Sequence, residues 1–239
     1  MEERAGVIPY TEVPRSMIEA DFLSANEFRV CAVLHSLNFL KHIFPSQEEL
    51  EKMTGLARKT LYSAIDHLEG MGIIVKFDQR TTRSGRFSTN EYKFACGSWD
   101  KWYQSRYGAY KVATLKGTKI TAGDIPQDGE AKIEVYENKL PYVRIYNQFL
   151  YSPNLNSNEI RVFLYLKQFA NCREIYPSYN TLCKKTSLSK PTVIKTISSL
   201  SDNTLLMNIM QTHEYCGMGS NRYLIANDEE LKQWLNLAA

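Results

Sequence analysis

The chain has 239 residues, 44% of them hydrophobic and 23% charged, and a net charge of +3. That length and apolar content suffice to bury two cores of ordinary size, and a charge this small does not by itself argue for a polyanionic partner. No apolar run approaches the roughly 20 residues of a membrane helix, and Met1-Glu2-Glu3-Arg4 does not open a secretory signal, so the reading is a cytoplasmic globular protein.

In chain order, the first strong signal is Ser24-Ala25-Asn26-Glu27, whose S-x-x-E spacing marks a capping box at a helix start. Val30, Val33, Leu34 and Leu37 follow at helical spacing and predict a helix that buries one face. A second capping box, Ser46-Gln47-Glu48-Glu49, opens a short helix that Gly55 ends. After the turn, Leu61, Ile65 and Leu68 line one face of a third helix, while Arg58, Lys59, Tyr62, Ser63 and Asp66 occupy the other. Gly70-Met71-Gly72 stops it, and Ile73 to Phe77 and Asn90 to Phe94 read as two strands joined by a basic loop. A terminal helix begins near Ser98.

The same order then recurs. Displaced by 132 positions, Leu23 falls on Leu155, Arg29-Val30 on Arg161-Val162, Pro45-Ser46 on Pro177-Ser178 and Leu68 on Leu200. From Leu23 to Leu68, 16 of 46 pairs are identical without a gap. A unit of about 95 residues is domain-sized, too long for a solenoid repeat. The second unit keeps the inward Val193, Ile197 and Leu200 and turns Lys190, Lys195 and Ser198 outward; Pro191 is tolerated in the first helical turn, where its missing amide leaves no bond unmade. The reading is an α+β chain, mainly α, of two tandem winged helix-turn-helix domains, 8–110 and 136–239, with an interdomain linker at 111–135.

From Phe44 to Ile74, the run Phe-Pro-Ser, Leu, Thr-Gly-Leu, Arg-Lys-Thr, Ile, Leu and Met-Gly-Ile-Ile resembles the winged helix domains of replication initiation proteins of bacterial plasmids and phages. The copy from Tyr176 to Leu206 keeps much of the pattern but has Asp202-Asn203-Thr204 in place of the helix-ending glycines. The resemblance implies a double-stranded DNA-binding protein that engages repeated origin sites and works with replication or transcription machinery. Alternatives are a regulator of mobile-element or developmental genes, and a scaffold that binds protein instead of DNA.

A major groove admits one helix, and polar or cationic side chains near that helix's amino end read base edges. Arg58, Lys59, Thr60, Tyr62 and Ser63 in one unit, and Lys190, Thr192 and Lys195 in the other, are the candidate contacts. Ser46 and Ser178 precede the short helices, whose amides attract phosphate, and Lys184 and Lys185 add charge in the second unit. Arg80, Arg83 and Arg86 form a cationic loop between the first pair of strands, whereas the second loop, Tyr215 to Ser220, is uncharged. Acids gather instead between Asp124 and Glu137.

No phosphate-binding glycine motif, histidine ligand spacing or paired catalytic carboxylate is present, so the expectation is a binding protein and no enzyme, without cofactor or metal. The five cysteines, Cys31, Cys96, Cys172, Cys183 and Cys216, contain no C-x-x-C pair and read as reduced, mostly buried thiols.

Overall fold

Tyr10 to Pro14 alternates outward and inward side chains, a half-buried strand pattern, and pairs with a matching strand from the second unit. The computed structural model describes residues 10–37, 45–77, 91–107, 142–169, 174–209, 212–213, 217–218 and 221–238. The first unit runs β1 (Tyr10–Pro14), α1 (Arg15–Ile18), α2 (Ala25–Leu37), α3 (Gln47–Thr54), α4 (Arg58–Gly70), β2 (Ile74–Phe77), β3 (Glu91–Phe94) and α5 (Trp99–Tyr107). The second repeats it with β4 (Tyr142–Tyr146), α6 (Asn147–Leu150), α7 (Ser157–Lys167), β5 (Glu174–Ile175), α8 (Tyr179–Thr186), α9 (Lys190–Asp202), β6 (Leu206–Ile209), β7 (Thr212–His213), β8 (Gly217–Met218), β9 (Arg222–Ile225) and α10 (Asp228–Ala238). The architecture is mostly helical, with small antiparallel sheets.

Local chemistry accounts for the boundaries. The amide of Ser24 donates to Glu27 and the amide of Glu27 to Ser24 Oγ, which starts α2; Asn156 and Glu159 do the same for α7. Gly55, with φ of 61°, takes the left-handed conformation that lets the chain turn from α3 into α4. Its counterpart Ser187 holds φ of 57° without glycine's freedom, and its hydroxyl donates to the Asp21 carbonyl of the first unit. After α4, β2 and β3 pair antiparallel from Ile74↔Phe94 to Phe77↔Glu91. In the second unit β9 lies between β5 and β6.

The expectation that each first helix buries a single face is corrected by the structure. In α2, Glu27, Phe28, Arg29, Val30, Cys31, Ala32, Val33, Leu34 and Ser36 are all buried, and α7 is enclosed likewise from Ile160 to Leu166. The two helices pack on each other, so each has a second neighbour that a single unit does not provide. Both units contribute to one continuous core.

This packing is isologous, with residue i of one unit meeting j of the other and j meeting i. Arg161 donates to the carbonyls of Ile18, Ala20 and Leu23 at 3.1, 2.5 and 2.5 Å. Arg29, its equivalent, donates to those of Leu150, Ser152 and Leu155 at 3.5, 2.8 and 2.6 Å, which are the three equivalent positions. The β1–β4 ladder maps onto itself in the same way. Glu12 pairs with its own counterpart Arg144 on the local twofold axis, with an ion pair at 3.0 Å. The two copies form a pseudo-dimer within one chain.

Each terminal helix closes its own unit. Trp99 of α5 is fully buried and donates its indole N–H to Ser16 of α1. Trp234 of α10 packs against Phe149 of α6. Among the described cysteines none is paired; Cys31 is buried, Cys183 half-buried and Cys96 exposed, so the thiols are less uniformly buried than expected. Cys172 and Cys216 lie outside the described residues.

Candidate nucleic-acid interface

Helices α4 and α9 are amphipathic for the predicted reason. Leu61, Ile65 and Leu68 beneath α4, and Val193, Ile197 and Leu200 beneath α9, are buried almost completely; each contributes about 1.5–3 kcal/mol of burial. The preceding helices are braced alike. Thr54 Oγ1 donates to the Leu50 carbonyl and Thr186 Oγ1 to that of Leu182.

One carboxylate in each unit fixes the outward helix to the first. Glu27 uses one oxygen to cap α2 and the other to meet His67 Nδ1 of α4 at 2.5 Å. Glu159 caps α7 and accepts from Ser199 Oγ of α9 at 2.6 Å. His67 and Ser199 occupy equivalent positions, so the tether survives a change of partner chemistry.

Outward stripes then face solvent at i, i+4 and i+8: Arg58, Tyr62 and Asp66 on α4, and the equivalent Lys190, Ile194 and Ser198 on α9. Arg58 Nε donates to Glu51 Oε1 of α3 at 2.7 Å, and this carboxylate bond raises the guanidinium pKa above its ordinary value. Tyr62 donates its phenolic hydrogen to Gln47 Oε1 at 2.5 Å, and Lys76 Nζ lies 6.0 Å from its ring centre. Lys59, Thr60 and Ser63 are exposed beside them. On α9, Lys190 and Lys195 are exposed and Thr192 is half-buried, its amide donating to the capping hydroxyl of Ser189.

The two short helices differ at their amino ends. Ser46 Oγ accepts from the Glu49 amide while the Ser46 amide donates to Glu49 Oε2, and that backbone bond, first among several causes, holds the Glu49 carboxyl below its usual pKa. Glu48 and Glu49 therefore place negative charge where phosphate is expected. Ser178 caps α8 through the Thr181 amide, and the first turn of α8 contains no acid. Lys184 is exposed in the last turn of α8; Lys185 beside it reaches Glu19 at 3.0 Å across the contact between units.

Arg80, Arg83 and Arg86, the linker 111–135 and the acidic stretch from Asp124 to Glu137 lie outside the described residues, as do Tyr215, Cys216, Gly219 and Ser220 of the second loop. Sequence reasoning passed over Ile194, which is 45% exposed on the outward stripe of α9. Its signal was its place opposite Tyr62 in the repeat. Sequence reasoning also passed over Glu51 and Gln47, whose roles depend on α3 lying against α4.

A helix-turn-helix domain family model matches the chain twice, over residues 21–74 and 154–206. The chain matches none of the curated proteins. Among solved structures, a chain from Methanosarcina mazei Go1 described as a possible transcriptional regulator overlays with a TM-score of 0.32 at 18% identity, over 40% of this chain and 78% of that one. The two matched segments fit a tandem helix-turn-helix arrangement and support DNA binding. Among the described residues no helix is long and apolar enough to cross a membrane.

Proposed function

We propose that this chain is a sequence-specific double-stranded DNA-binding protein that presents α4 and α9 to successive major grooves and serves as a plasmid or phage replication initiator at repeated origin sites. The observation that carries the DNA-reading part is the display of both outward helices by two units packed about a local twofold axis. The initiator role rests on the residue pattern from Phe44 to Ile74 and its second copy. In this reading, residues 8–110 and 136–239 are winged helix domains joined through 111–135. The β2–β3 pair is a wing, and Arg80, Arg83 and Arg86 follow a phosphate strand at its tip.

A twofold arrangement has a consequence for the target. Helices related by a dyad meet the duplex in opposite directions, so the half-sites are inverted, with centres about 10 base pairs apart or a multiple of that. Because Arg58-Tyr62-Asp66 differs from Lys190-Ile194-Ser198, the two halves differ in sequence. Fusion replaces dimerisation with a high effective local concentration. Phosphate anchoring falls mainly on α8, through Ser178 and Lys184, since α3 has Glu48 and Glu49 at its amino end.

Selection of bound duplexes from a random pool at stated salt, followed by footprinting, tests the reading. It expects an imperfect inverted repeat protected over two grooves, occurring in several copies at an origin. Protection of one groove, or no enriched sequence, overturns it.

A further inference from the structure

On the outward face of α9, Lys190, Pro191, Ile194, Lys195 and Ser198 form an open, shallow surface patch. A single exposed isoleucine on a protein surface is ordinary, but this one has a particular setting. Ile194 lies one helical turn from Lys190 on one side and from Ser198 on the other, with the ring of Pro191 beside it. The only acid of α9 is Asp202 at its far end, and α8 has none. The surface is thus apolar at its centre and cationic at its rim. That charge excludes few partners as effectively as it attracts a polyanion.

Resting on the DNA-reading function proposed above, we infer that Ile194 is a specificity-determining residue that recognises a thymine by its 5-methyl group. In the major groove the methyl is the one apolar feature by which a base pair is distinguished, and a branched aliphatic side chain is its complement. Lys190 and Lys195 bring the backbone phosphates to the rim, and the methyl seats against Ile194 and Pro191. The first unit does not offer the same surface. Tyr62 occupies the equivalent position, with its hydroxyl committed to Gln47 and its neighbours Arg58 and Asp66 polar.

The test uses the full chain and the duplex it selects. Each thymine of that duplex is replaced in turn by deoxyuridine, which removes the methyl and keeps every hydrogen-bonding group, and affinity is read by fluorescence anisotropy. One or two positions should lose about four-fold in affinity, the partition of one buried methyl. Ile194→Ala should bind thymine and uracil equally at those positions, and Ile194→Val should keep part of the preference. Because Ile194 is exposed, the alanine variant should fold. The inference is overturned if no thymine is methyl-sensitive, or if the sensitive positions are unchanged in Ile194→Ala; sequence-specific binding then stands and α9 reads by polar contacts. If no sequence is enriched at all, the DNA-reading function itself falls, and this inference with it.

Discussion

Arg29 and Arg161 stand at equivalent positions of the two repeats, and each extends into the other unit, where its guanidinium meets three backbone carbonyls of the turn before the opposing helix. Both are buried, at 2% and 0% exposure. Desolvation lowers the pKa of each to about 10; Glu159 partly offsets this for Arg29, as do Asp21 and Glu27 for Arg161. A buried cation satisfied by carbonyls is strongly position-dependent, because the planar fork matches diverging acceptors that an ammonium cannot. These two residues tie each copy to the backbone of the other.

Arg161→Ala should therefore destabilise the protein by about 3 kcal/mol, since it takes a donor from three buried carbonyls, of which that of Ala20 keeps the Leu23 amide, and opens a cavity. Arg161→Lys should recover less than half of that. Urea denaturation followed by circular dichroism measures both, and a loss under about 1 kcal/mol for the alanine variant would count against the arginine as a lock.

A shared core also predicts that the two units unfold together. Trp99 and Trp102 report on the first and Trp234 on the second. In Trp234→Phe, fluorescence follows the first unit alone, and in the double variant Trp99→Phe, Trp102→Phe it follows the second. Their midpoints should shift equally when Arg29→Ala is added. Two separated transitions would mean that the interface is not required by either unit.

His35 gives stability a pH dependence. Its Nε2 donates to the Glu12 carbonyl at 3.0 Å, while Nδ1 is buried without a partner, and burial lowers the pKa below the ordinary value of 6.5 despite opposing contributions from that carbonyl and from Asp100. The sign follows from linkage. The unfolded chain takes up the proton first, so stability is fully present above about pH 6.5 and is lost as pH falls through the folded value. His35→Gln should flatten the difference in stability between pH 8 and pH 5 relative to the parent protein. An unchanged slope would exclude His35 as its source.

In the free protein Glu51 holds Arg58 at 2.7 Å, and the pair is exposed enough to exchange readily for a DNA contact. Glu51→Gln should tighten binding by about two- to five-fold through the loss of one negative charge near the phosphates. Arg58→Ala should relax base preference in one half-site only. Competition binding against single-base variants of the selected duplex separates the two effects.

Much of this was legible before any coordinates. The capping residues Ser24 and Ser46, the turn glycine Gly55, and the inward Leu61, Ile65 and Leu68 define helix boundaries and faces by local rules, and the structure places them as those rules require. The strand β1 was not among those readings. Its outward Tyr10 and Glu12 alternate with the inward Thr11 and Val13, but a five-residue strand without a visible partner is a weak signal.

What the sequence determined by itself was the repeat, the order of elements within it and which side of α4 and α9 faces water, because periodicity and capping act over a few residues. The tertiary structure alone decided that the copies embrace about a twofold axis, that Arg29 and Arg161 are buried where charge usually lies outside, and that Lys185 and Arg58 meet Glu19 and Glu51. Those contacts join residues more than a hundred positions apart, or lie between neighbouring helices whose relative placement no local pattern encodes. Their energies depend on desolvation and on carbonyl directions that exist only once both copies have folded.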